Sequence, residues 1–178
     1  MCTSRGFTLL ELLVVIGVAT ILLTVAVPGF SELIEDNRRA ALLNEFVTSL
    51  QLARVGAVMD GHEVTLCKSA DGAHCAPKGA RWDDGWIVFA NLDGDDPAVV
   101  DPGEQVLIAH PGVRSPLHVA ANREYFSFRP YSHYSVNGTV TFCDDRGSDH
   151  AMAVIISAMG RPRVSHTQAD GSPINCSG

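Results

Sequence analysis

The sequence predicts an α+β fold, with one long N-terminal helix packed on antiparallel β-sheets formed by the rest of the chain. Three observations carry that expectation. Residues 12–27 form an uncharged run of sixteen apolar or small residues that leads without a break into an amphipathic stretch. Beyond Gly61 the apolar spacing changes from steps of three and four to the alternation of strands. Turn signals then recur between short apolar segments, Asn137-Gly138 being the clearest. At 178 residues, one globular domain plus the leading helix is the natural organisation.

A helix over residues 7–30 is about 36 Å long at roughly 1.5 Å per residue. That spans a bilayer core of roughly 30 Å, with Glu11 the one full charge inside it. A carboxylate there costs on the order of 2.5–3.5 kcal/mol on insertion scales, which marks Glu11 as a functional candidate. An ordinary signal peptide needs several basic residues, a short apolar core and a small-x-small cleavage site. The run here is too long, ends in Val27-Pro28-Gly29-Phe30, and continues as amphipathic helix, so that class is set aside.

From Phe30 the apolar positions Leu33, Ile34, Ala41, Leu43, Phe46, Val47, Leu50, Ala53 and Ala57 form one stripe. The helix is therefore expected over residues 7–58, kinked or loosened at Pro28 and ended by Asp60-Gly61. Strands are expected at 62–67, 85–90, 104–110, 125–128 and 151–157. Asn137-Gly138 predicts a type I′ hairpin with arms 131–136 and 139–143. Cys2 lies in the first six residues, leaving Cys67, Cys75, Cys143 and Cys176. With no C-x-x-C pair they are poor zinc ligands and read as two disulfides, with three connectivities open. Cys67–Cys75 and Cys143–Cys176 are favoured, the first closing a short loop and the second tying the tail to a strand.

No cofactor or metal site and no enzyme are expected. The histidines form no H-E-x-x-H or H-x-x-E-H pattern, and neither G-x-S-x-G nor a phosphate-cradling loop occurs. His150 beside Asp144 and Asp145 reads as a turn contact. The loop Asn91-Leu92-Asp93-Gly94-Asp95-Asp96, with Asp101 and Glu104, offers oxygens at alternate positions, as calcium sites do. Its twelfth position is Pro102 rather than glutamate, so it reads as a solvated acidic loop. Formal charge is −7, becoming −8 without residues 1–6 because Arg5 leaves 12 basic against 20 acidic residues. Any nucleic-acid binding must then come from a local patch. Gly160-Arg161-Pro162-Arg163 is one: Pro162 favours an extended path, and residues 151–169 hold no acid. Two guanidiniums two residues apart can each grip a phosphate, and His166 could add charge below neutral pH. Sequence alone does not place Lys68, Lys78, Arg114, Arg123 or Arg129 on the same face.

Two resemblances follow from these residues. Gly6-Phe7-Thr8-Leu9-Leu10-Glu11 before an apolar run with Pro28 resembles the class III signal of type IV pilins and pseudopilins, over roughly residues 1–58. It implies a leader over 1–6, cleavage between Gly6 and Phe7 by a prepilin peptidase of the inner membrane, and methylation of Phe7. It also implies that residues 7–30 anchor and assemble the subunit, Glu11 pairing with the Phe7 ammonium or with that of a neighbouring subunit. Trp86 in a Gly-Trp-hydrophobic strand, the Cys143–Gly147 turn C-D-D-R-G and the G-R-P-R strand end resemble the GspH/FimT family of minor pilins and pseudopilins. This implies the pilin fold and a periplasmic domain over residues 31–178, including a tail over 160–178. FimT-type members belong to type IV pili, and some bind DNA during natural transformation through G-R-x-R. Gly160, Arg161 and Arg163 are then the expected contacts to double-stranded DNA, without sequence preference, and other pilin subunits are the expected partners. The paired cysteines also look more FimT-like. GspH-type pseudopilins at the tip of a type II secretion pseudopilus, and minor pilins that only prime assembly, are the alternatives.

Overall fold

The computed structural model describes residue 6, residues 8–131 and residues 136–176. Phe7 and most of the expected hairpin arm (132–135) lie outside the described residues. The chain divides into two compact units, the first ending at Ala40 and the second running from Ala41.

In the first unit, helix α1 (Leu9–Asp60) begins at a capping box. The Thr8 hydroxyl accepts the Glu11 N–H at 3.2 Å, and the Glu11 carboxylate accepts the Thr8 N–H at 3.1 Å. Thr8 and Glu11 thus satisfy two donors that a helix start leaves open. The apolar side chains beyond, including Leu9, Leu13, Ile16 and Ile21, are exposed, and α1 is long and apolar enough to cross a membrane. Helix assignment continues through Pro28, where a kink or loosening was expected.

In the second unit, α1 presents Leu42, Leu43, Phe46, Leu50, Ala53 and Ala57 to the core. It ends where Gly61, at φ +74°, donates back to the Ala57 carbonyl. One four-stranded sheet has the order β3-β2-β1-β5. Its strands are β1 (Glu63–Lys68), β2 (Trp86–Asn91), β3 (Val106–His110) and β5 (Tyr125–Phe128). The second sheet has the order β4-β6-β7-β8. It contains β4 (His118–Ala121), β6 (Gly138–Cys143), β7 (Met152–Ile156) and β8 (Pro162–Ser165). Every strand pairing in the two sheets is antiparallel.

The main core lies between α1 and one face of each sheet. Phe46 stands at its centre, meeting Trp82, Trp86, Phe126 and Phe142 edge-on at centroid distances of 5.2–6.3 Å. The opposite faces are covered too. Cys67, Ile87 and Phe89 pack with Ala98, Cys75 and Val100 on the first sheet. Cys143, Ala153 and Ile155 pack with Ile174 and Cys176 on the second. Disulfides Cys67–Cys75 and Cys143–Cys176 each join a strand to the segment that covers it. Burial on both faces explains why β2 and β7 read as nearly unbroken apolar runs.

One expectation is corrected. Gly138 does not have the positive φ that a type I′ turn requires. The described partners of β6 are β4 on one side and β7 on the other. Gly138 is needed for space instead. A Cβ at this position would meet Asn122 Oδ1 and Phe126 Cε1 at 2.8 Å and Arg123 Cγ at 2.9 Å.

Candidate nucleic-acid interface

The G-R-P-R segment forms the return arm of a tight hairpin between β7 and β8. Gly160 N–H donates to the Ser157 carbonyl at 2.8 Å, and Ser157 N–H donates to the Arg161 carbonyl at 3.1 Å. Gly160 takes φ +69°, the left-handed position that closes a three-residue hairpin loop. It is buried, so its contribution to the motif is the turn rather than a contact with a ligand. Pro162 sits on an edge strand, where a missing N–H is tolerated.

Ladder register fixes where the arginines point. Arg163 pairs with Ile155, whose side chain lies on the face away from α1. Arg161 lies opposite Ser157 on the same ladder, two residues earlier, and leaves on the same face. Both are exposed, and neither guanidinium has a hydrogen bond or ion pair among the described residues. His166 lies beyond Ser165, at the other end of β8, and does not join them.

Other cations are mostly spent. Lys68 is buried against Glu124 and the Ala80 carbonyl, Arg129 pairs with Glu63 at 2.8 Å, and Arg146 with the buried Asp144 at 2.7 Å. Arg81 pairs with Asp83. Arg123 differs: its guanidinium donates to the Asn137 carbonyl at 2.8 Å and side-chain oxygen at 3.1 Å, both neutral. It lines a groove of about 490 Å³ with Lys68, Arg81, Trp82, His118 and Glu124.

The second sheet is electrically lopsided. At the end holding Gly138, Ile156 and Pro162, the described loops contribute one carboxylate, Glu124 beyond β4, and it is paired with Lys68. Asp144, Asp145 and Asp149 lie in the connection at the opposite end, between Cys143 and Met152. Asp83 adds to that end by accepting from Arg81, His118 and the Val119 N–H. Burial alone would push the Asp83 carboxyl up, but these hydrogen bonds together hold it below the ordinary carboxylate value.

The remaining candidates fall elsewhere. Gly6 is exposed, Phe7 lies outside the described residues, and Glu11 is held by Thr8. Asp93, Asp95 and Asp101 can bring carboxylate oxygens within 4.8 Å of one another. Asp95 already accepts from Asn91 and Val99, and Asp93 from the Asp95 N–H. The loop therefore spends carboxylates on its own turns, as a solvated acidic loop does. Arg123 is a residue of interest that sequence reading left unplaced, because its partner lies 14 positions away, beyond β5.

A family model described as type II transport protein GspH matches residues 42–160. This chain belongs to the GspH family. The GspH match ends at Gly160, so Arg161 and Arg163 lie just past it. A second model, the prokaryotic N-terminal methylation motif, matches residues 1–27 ahead of the GspH region. Two fimbrial proteins of Pseudomonas aeruginosa are each 28% identical to this GspH-family chain over 94 residues. That is 53% of the chain, which spans 56% of the length of those relatives. Among solved structures, the type IV minor pilin FimU of P. aeruginosa PAO1 is similar at TM-score 0.57 and 21% identity, covering 80% of this chain and 97% of FimU. A second crystal form of FimU gives 0.52 at 20% identity, covering 75% and 95%. The GspH-family chain thus has the pilin fold.

Proposed function

We propose that this chain is a minor type IV pilin of the FimT kind that captures DNA, without sequence preference, on the β7–β8 hairpin during uptake for natural transformation. The observation that carries the proposal is the pair Arg161 and Arg163, exposed on one face of a glycine-closed hairpin whose two strands and turn hold no carboxylate. Two phosphate contacts on duplex give a log–log salt slope of about −1.8. One subunit then binds weakly, and several along a filament gain by avidity.

The front of the chain supports the assembly half of the proposal. Its methylation motif and exposed apolar helix suit a membrane-anchored pilus or pseudopilus component. In this reading residues 1–6 are a leader removed by a prepilin peptidase, and Phe7 becomes the methylated amino terminus. Residues 7–30 sit in the inner membrane and later in the filament, with residues 31–178 in the periplasm. Glu11 pairs with an amino terminus, its own or a neighbour's, and sets register with other pilin subunits. The capping box is compatible with this, since Thr8 and Glu11 both lie past the cleavage point.

The test is DNA titration of the full chain in detergent against an Arg161→Ala, Arg163→Ala double variant. Loss of binding is expected; equal binding by both proteins excludes the hairpin as the site. The GspH description favours a second reading, a tip pseudopilin of a type II secretion pseudopilus whose partners are other pseudopilins. In that case neither protein binds DNA. A minor pilin that only primes assembly behaves the same way, and pull-down of pseudopilins separates the two.

A further inference from the structure

We infer that Arg123 is a third phosphate contact on the same edge as Arg161 and Arg163, which rests on the proposed reading of the hairpin. The inference comes from strand register. Strands β6 and β8 flank β7 antiparallel on either side, so they run in the same direction. Ile156 pairs with Gly138 on one side and with Pro162 on the other. Asn137 and Arg161 each stand one residue before those positions, at equivalent places on the same end of the sheet. Two strand spacings separate them, about 10 Å. Arg123 holds its guanidinium against Asn137, donating from Nε to the carbonyl at 2.8 Å and from Nη2 to the side chain at 3.1 Å. Its charge is thereby carried to the sheet end where Arg161 begins.

The surroundings favour an anionic ligand. Asn137 orients Arg123 without neutralising it, and the guanidinium keeps further N–H groups for a second acceptor. Glu124, the carboxylate next to it in sequence, is held by Lys68. Residues 125–143 and 150–169, which supply β6, β7 and β8, contain no aspartate or glutamate. Arg123, oriented by Asn137, and the exposed Arg161 and Arg163 two strand spacings away then face several phosphates of a duplex, which carries one charge per roughly 1.7 Å of axis.

The experiment is the salt dependence of duplex DNA binding by the full chain in detergent. With three contacts the wild-type slope is about −2.7, and Arg123→Gln lowers it to about −1.8. Arg123→Lys keeps the charge and most of the slope. Asn137→Asp leaves the arginine in place and sets a carboxylate against it. That variant is also expected to flatten the slope, and it carries the test should Arg123→Gln lose its folded circular dichroism spectrum. If these variants keep the wild-type slope while the Arg161, Arg163 double variant flattens it, Arg123 takes no part and the hairpin reading stands. If no variant changes binding, both fail together.

Discussion

Phe46 is where the helix meets both sheets. It is fully buried, with four aromatic rings standing edge-on around it, so truncation leaves a cavity that no single neighbour can fill. Phe46→Ala is expected to cost about 3–5 kcal/mol in urea denaturation. Asp83 works by polar means. Its carboxylate ties the short 3-10 turn Trp82–Asp84 to β4 by accepting the Val119 N–H. Because its folded pKa lies below the unfolded value of 3.8, its contribution is complete above that value and fades as pH falls through the folded one. Asp83→Asn should lose roughly 1–3 kcal/mol at neutral pH and show a flatter acid limb below about pH 4. Equal acid limbs in the two proteins would contradict this role. Tyr125, which donates to Asp96, is pushed up to about 12 by that hydrogen bond and then by burial. Tyr125 should therefore ionise late in an alkaline titration followed by absorbance.

In the proposed reading, Gly160 serves binding by closing the β7–β8 hairpin rather than by touching the ligand. Gly160→Ala forces a side chain into a left-handed conformation at about 1–2 kcal/mol, and should weaken DNA binding by displacing Arg161. Gly160→Asn should recover part of both, since asparagine visits that region more readily. Loss of binding in both with unchanged stability would argue for direct contact instead. The long helix and strands β1, β2, β5 and β7 were legible because each has a period or an apolar run longer than its turns. Strand β4 was not: His118-Val119-Ala120-Ala121 buries only Val119, and alanine is a poor strand former. Asn137-Gly138 misled for a physical reason. The glycine there makes room for Asn122, Arg123 and Phe126, a contact between segments that no local turn signal reveals. The two arginines of the hairpin were legible as a motif, but Arg123 became part of the edge only once β6 and β8 were seen to flank β7.

Across the second unit, each sheet is covered on its outer face by a segment that a disulfide holds down. Chain-entropy estimates put the Cys143–Cys176 bridge, with a separation of 33, near about 3.7 kcal/mol. The Cys67–Cys75 bridge, with a separation of 8, comes to about 2.5 kcal/mol. Cys176→Ser should therefore destabilise more than Cys75→Ser and uncover Ala153 and Ile155, seen as faster amide exchange in β7 alone. An acidic chain can hold a cationic edge because Asp83, Asp144 and Asp149 lie at the opposite end of its second sheet and Glu124, at the near end, is paired with Lys68. The most direct measurement is photo-crosslinking of duplex DNA to the full chain, with the attached peptides mapped by mass spectrometry. Crosslinks are expected in the peptides holding Arg161, Arg163 and Arg123. Crosslinks confined to the acidic end, or no crosslinks at low salt, would contradict the proposed DNA-capturing edge.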